Sequence, residues 1–212
     1  IKKQIYSEVE KYRKPGSLIT TNTSGIPINK LAEDRSDDFK KNFCGTHFFN
    51  PPRYMKLVEL IPGKETLPEV LDQLETFLVS TLGKGVVRAK DTPNFIGNRV
   101  GVFSLLAVLY HTQQYNLSFA EVDLLTGPLI GRPKSATFRT LDVVGLDTLG
   151  HVVNTMKDEL STDPWHQYYV LPDWYQQLIQ AALELPLQQI QAELLDWLLL
   201  LALLIPAETL AP

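Results

Sequence analysis

Apolar and polar positions alternate in blocks along this chain, and the blocks change character part-way. Residues 2–12 place Ile5 and Val9 four apart, the spacing of one helix face, before Pro15-Gly16. Ser17 to Thr21 is a short β-branched run leading into the polar turn Asn22-Thr23-Ser24-Gly25. Residues 29–42 are charged and read as a short helix and loop. Cys44–Phe49 and Lys56–Ile61 read as strands, stopped by Asn50-Pro51-Pro52 and Pro62-Gly63. Leu67–Leu82 carries Val70, Leu71, Leu74, Phe77 and Leu78 at helical spacing, and Val86–Lys90 reads as a fourth strand. After Asp91-Thr92-Pro93 no convincing strand follows. Residues 94–115 form one long helical stretch, and Ser118 with Glu121 three residues on has the form of a capping box. Gly127-Pro128, Gly131-Arg132-Pro133 and Gly145 punctuate further helices. The expected architecture is therefore α/β up to residue 92, then all-α.

Composition sharpens this division. The chain has 212 residues and a formal net charge of −4, an ordinary globular balance that gives no support for nucleic-acid binding. All 20 Lys and Arg lie at or before Lys157, whereas 8 of the 24 acidic residues follow it. The longest apolar run, Trp197–Ile205, is too short for a membrane span, which needs about 20 residues. It reads as a buried helix or a packing surface. Cys44 is the one cysteine, so there is no intramolecular disulfide. His111, His151 and His166 lack metal-ligand spacing with one another or with Cys44, and no metal is expected.

Candidate chemistry centres on Gly45-Thr46-His47-Phe48-Phe49-Asn50-Pro51 and Leu57-Val58-Glu59-Leu60-Ile61. His47 and Phe49 share a strand face. Glu59, twelve residues on, is an acid inside an apolar strand and is costly to bury without a partner. A histidine on the neighbouring strand supplies one. A carboxylate beside an imidazole fixes its tautomer and favours proton acceptance, which is what a general base needs. A structural histidine with an exposed glutamate fits the same spacing.

Further blocks are Asn22-Thr23-Ser24, Lys84-Gly85, Asp91-Thr92-Pro93-Asn94-Phe95-Ile96-Gly97-Asn98-Arg99, Arg132-Pro133-Lys134 and Val144-Gly145-Leu146-Asp147. With the His47 and Glu59 blocks they resemble the 3-hydroxyacyl-CoA dehydrogenase family over about residues 1–157. More specifically, they resemble the dehydrogenase part of bacterial multifunctional fatty-acid oxidation proteins that also carry an enoyl-CoA hydratase part.

The resemblance implies a fold, a cofactor and roles. The fold is the C-terminal half of a Rossmann-type NAD-binding domain (1–92) followed by a helical substrate and dimerisation domain (93–171). A helical tail (172–212) falls outside the match. The reaction is NAD-dependent oxidation of 3-hydroxyacyl-CoA to 3-ketoacyl-CoA in fatty-acid β-oxidation. His47 takes the hydroxyl proton, Glu59 holds His47, and Ser24 bonds the substrate oxygen near the nicotinamide. Asn98 orients the substrate or the histidine. Lys2, Asn22, Ser24 and Asn50 match cofactor contacts. Arg53, Arg132, Lys134 and Arg139 are candidates for the CoA phosphates, with ordinary surface charge the plainer reading.

A homodimer, a covalent hydratase domain and a bacterial cytoplasmic setting are implied likewise. The sequence contains no Gly-x-Gly-x-x-Gly turn for the pyrophosphate. The chain is accordingly expected to be a piece of a longer enzyme, inactive alone. The competing expectation is a non-catalytic acyl-CoA-binding or interdomain interaction module.

Overall fold

A computed structural model of the chain describes residues 1–184; the apolar run Trp197–Ile205 lies outside the described residues. The first part runs α1 (Lys2–Tyr12), β1 (Ile19–Thr21), α2 (Ile28–Ala32), α3 (Asp37–Lys41), β2 (Phe43–Phe48), β3 (Leu57–Pro62), α4 (Pro68–Ser80) and β4 (Gly85–Arg88). The four strands form one sheet in the order β1-β2-β3-β4. β1 pairs parallel to β2, β2 antiparallel to β3, and β3 parallel to β4.

Strands β2 and β3 are covered on both faces, which explains their near-continuous apolar sequences. Phe43 and Ile61 point to one face, where Tyr6, Ile28, Leu31, Phe39 and Phe95 complete a core. Cys44 and Leu60 point to the other, against Leu71 and Leu74 of α4 and Val86 of β4. Each such aliphatic or aromatic side chain, fully buried, stabilises the fold by about 1.5–3 kcal/mol. The inward residue of α1 is Tyr6, packed 5.2 Å edge-on to Phe43. Ile5 and Val9 are 52% and 37% exposed, so the face expected from their spacing is not the buried one. The charged stretch 29–42 contributes two five-residue helices, the second capped by Ser36 Oγ, which accepts from Phe39 N. Asp91, just past β4, accepts from the backbone N–H groups of Ile28 and Asn29 and from Asn29 Nδ2, pinning the start of α2.

The second part is helical: α5 (Gly97–Gln114), α6 (Phe119–Thr126), α7 (Phe138–Val144), α8 (Leu146–Glu159) and α9 (Asp173–Glu184), with 3-10 turns at Pro128–Ile130 and His166–Tyr168. Val102, Leu106 and Leu109 of α5 and Leu149, Val153 and Met156 of α8 follow the i, i+4, i+7 spacing of a buried stripe. They pack with Val122, Phe138, Leu141 and Tyr175. Ser118 and Glu121 form the capping box of α6. Asp123, within α6, is 7% exposed and accepts from the N–H groups of Thr137, Phe138 and Arg139, so one buried carboxylate caps the neighbouring helix α7. Tyr175 brings α9 onto this core, although its sequence lies beyond the stretch that carries the resemblance.

Candidate active site

The antiparallel pairing of β2 and β3 sets His47 directly opposite Glu59. Both are buried, at 4% and 1% exposure. His47 Nδ1 lies 2.7 Å from Glu59 Oε2. Phe49, on the same face, packs tilted against the imidazole at 4.6 Å between ring centres, and Phe95 approaches it, also tilted, at 5.6 Å. Two aromatic rings and a carboxylate thus fix the ring plane, and Nε2 is the nitrogen left for a substrate.

Glu59 also reaches into the helical part. Its Oε1 accepts from the backbone N–H groups of Ile96 and Gly97, at 2.8 and 2.7 Å. Burial opposes the charge on Glu59. The bond with His47 and those from the Gly97 and Ile96 N–H groups outweigh it, holding the carboxyl below its ordinary value of about 4.5. The result is an ionised carboxylate facing Nδ1.

The long helix was expected to start at residue 94 but starts at Gly97, because Asn94 and Phe95 both have left-handed backbones (φ 59° and 48°). For residues with a Cβ this conformation costs roughly 1–2 kcal/mol each, less for Asn, whose side chain tolerates it. Gly97 has a packing reason for lacking a side chain. A Cβ there would lie 2.9 Å from Phe49 Cε1 and closer still to Cζ.

The polar turn after β1 meets the same region. Asn98 Nδ2 donates to Ser24 O at 3.1 Å, joining the first turn of α5 to the turn. Asn22 Oδ1 accepts from the N–H of Phe48, the neighbour of His47, at 2.9 Å. The structure therefore gathers His47, Glu59, Asn98 and the Asn22–Ser24 turn. Asn50 is exposed two residues beyond β2, and Lys2 lies half-buried in α1. Among the described residues no hydrogen bond joins either to the cluster. Sequence reasoning did not identify the Ile96 and Gly97 N–H donors, nor Phe95 as a wall of the imidazole; the Pro93-to-Gly97 block was visible, but not what it does.

Residues 1–92 match the family model described as the NAD binding domain of 3-hydroxyacyl-CoA dehydrogenase, and residues 95–184 match that of its C-terminal domain. The chain belongs to the 3-hydroxyacyl-CoA dehydrogenase family. A Bacillus subtilis protein named as a 3-hydroxyacyl-CoA dehydrogenase is 56% identical over 163 residues, which is 77% of this chain and 21% of that protein. A Rickettsia prowazekii protein named as a fatty acid oxidation complex trifunctional enzyme is 35% identical over 181 residues, covering 85% of this chain and 25% of that protein. The solved structure of a Ralstonia eutropha (S)-3-hydroxybutyryl-CoA dehydrogenase superposes with a TM-score of 0.74 at 28% identity, covering 85% of this chain and 61% of that one. The chain thus spans between about a fifth and three-fifths of these relatives' lengths.

The polar groups at the carboxyl end of β1 could hold part of a cofactor. In open α/β sheets ligands bind beyond the carboxyl ends of the strands. That end of β1 offers the exposed Asn22 and Ser24, with Asn22 keeping its amide NH2 uncommitted. It also holds Thr21, 2% exposed, whose Oγ1 has no partner. Among the described residues no three His, Cys, Asp or Glu side chains converge as a metal site, and no helix is long and apolar enough to cross a membrane.

Proposed function

We propose that this chain carries the base and substrate-orienting residues of an NAD-dependent 3-hydroxyacyl-CoA dehydrogenase. The observation that carries this reading is the buried 2.7 Å contact between His47 Nδ1 and Glu59, itself held by two backbone N–H donors. With Nδ1–H given to the carboxylate, Nε2 accepts the proton of the 3-hydroxyl as the C3–H bond breaks. NAD, when bound, supplies the hydride acceptor. Ser24 bonds the substrate oxygen, and Asn98 holds the Ser24 turn against α5. In the reverse direction the imidazolium returns the proton to the developing alkoxide. Asn22, Ser24, Asn50 and Lys2 are the proposed cofactor contacts; for Asn50 and Lys2 the support is the motif match alone.

The proposed domains are 1–92 for the cofactor part, 93–171 for the helical substrate part and 172–212 for a tail whose first helix, α9, packs on the helical core through Tyr175. A role in bacterial cytoplasmic β-oxidation, a covalent hydratase domain and pairing through the helical part are proposed from the family and the Rickettsia relative.

The test follows NADH absorbance with acetoacetyl-CoA as oxidant. It compares the 212-residue chain with a version extended upstream by a glycine-rich βαβαβ half. The extended protein is expected to turn over and the 212-residue chain is not. Robust turnover by the shorter chain removes the need for the glycine-rich half. An extended protein that folds, binds NAD and still leaves acetoacetyl-CoA unreduced overturns the function.

A further inference from the structure

A buried carboxylate is usually balanced by a cationic side chain. Among the described residues the one side chain hydrogen-bonded to Glu59 is His47. Val87 of β4 stands beside Glu59 in the sheet, and Arg99, the nearest cation in α5, pairs with Asp163. Among the described residues the helical part offers Glu59 no hydrogen-bonding side chain. It offers two successive backbone N–H groups, Ile96 and Gly97, both aimed at Oε1. Successive N–H groups converge in this way where a turn makes them line a concave nest, a recognised anion-binding arrangement. The turn that aims them contains two consecutive left-handed residues that are not glycine, Asn94 and Phe95.

Asn94 is 3% exposed, and its Nδ2 finds no partner. Its Oδ1 lies so close to the Ser24–Gly25 turn that a Cβ at Gly25 would sit 2.9 Å from it. No hydrogen bond of its Nδ2 accounts for an asparagine at this position. Asparagine is among the few residues with a Cβ that enter the left-handed region readily. We propose that Asn94 is a positioning residue of the base pair, its left-handed backbone aiming the Ile96–Gly97 nest that keeps Glu59 an anionic acceptor for His47 Nδ1–H. Because the nest forms the entry to α5, the placement of the helical part and the ionisation of Glu59 are linked. A displacement of α5 that withdraws the two donors makes Glu59 a better proton acceptor.

This inference rests on the reading of His47 and Glu59 as the base pair. Its test reads ionisation rather than turnover, so the two fail separately. The 212-residue chain is labelled with 13C at the Glu59 carboxyl and 15N in the backbone, and titrated by NMR. In the unsubstituted chain the amide protons of Ile96 and Gly97 are expected to titrate with the Glu59 carboxyl, at one shared midpoint below about 4.5. Asn94→Gly, which enters the left-handed region freely, is expected to keep that midpoint. Asn94→Val, which resists it, is expected to raise the midpoint by about one pH unit, a tenfold change in proton affinity. Amide protons that ignore the Glu59 titration overturn the proposal even if the valine variant does not fold. Equal shifts in the glycine and valine variants, or none in a folded valine variant, overturn it as well.

Discussion

Replacing Glu59 with Gln tests the tautomer argument with little change of shape. The glutamine Oε1 can still accept from the Ile96 and Gly97 N–H groups, as the Glu59 Oε1 does at 2.8 and 2.7 Å. Its Nε2 then faces His47 Nδ1 where the carboxylate Oε2 stands now. An amide NH2 can only donate, so Nδ1 must become the acceptor and the ring proton moves to Nε2. The nitrogen needed as a base is then capped by its own proton. Three charge-assisted bonds become neutral, at about 1 kcal/mol each, or about 3 kcal/mol in all. For a chain of this size that lowers Tm by roughly 6–12 °C. Ring-nitrogen NMR at neutral pH reads the tautomer directly, and thermal unfolding by circular dichroism reads the cost. The expected pair of results is a variant protonated at Nε2 and a moderately lowered Tm. A folded variant that keeps its proton on Nδ1 refutes the reasoning, since no acceptor would then explain where that proton points.

Other consequences follow from the same contacts. Because Glu59 is held below its ordinary value of about 4.5, its contribution to stability is full above that pH and is lost as pH falls through the lowered folded value. Urea unfolding between pH 3 and 6 should therefore show a shallower acid-side loss in Glu59→Gln than in the parent. Gly97→Ala is expected to push Phe49 off the imidazole and cost about 1–3 kcal/mol, read as a lower urea midpoint and an altered His47 ring signal. Asp123→Ala leaves the buried N–H groups of Thr137 and Phe138 unpaired, at about 1–3 kcal/mol each, and should unfold the helical part first in hydrogen exchange. Burial pushes the Cys44 thiol up to about 12, so a thiol reagent should label it only on unfolding; fast native labelling contradicts its place between the sheet and α4.

Much of this was legible in the sequence, for identifiable reasons. The β-branched and apolar runs bounded by Gly, Pro and Asn located all four strands, because β2 and β3 are buried on both faces and leave little room for polar residues. His47 and Glu59 stood out because an acid in an apolar strand demands a partner. Strand direction did not stand out. Periodicity reports which face a side chain takes but not the sense of its neighbour, so the antiparallel β2–β3 pairing that makes His47 and Glu59 direct opposites came only with the structure. The start of α5 was misplaced for a related reason. Hydrophobic periodicity carries no information on backbone handedness, and Asn94, which enters the left-handed region readily, and Phe95, packed against His47, both adopt it. In α1 the four-residue spacing of Ile5 and Val9 suggested an inward face, yet Tyr6 is the larger group and reaches Phe39 and Phe43.

His47, proposed as the base for oxidation of a 3-hydroxyacyl thioester, is probed by His47→Gln in the version extended upstream, assayed by NADH absorbance with acetoacetyl-CoA. The predicted result is a fall in kcat of more than about 100-fold, the scale of a lost general base, with NAD binding retained. A folded His47→Gln enzyme turning over at a near-normal rate would remove His47 from the proton transfer.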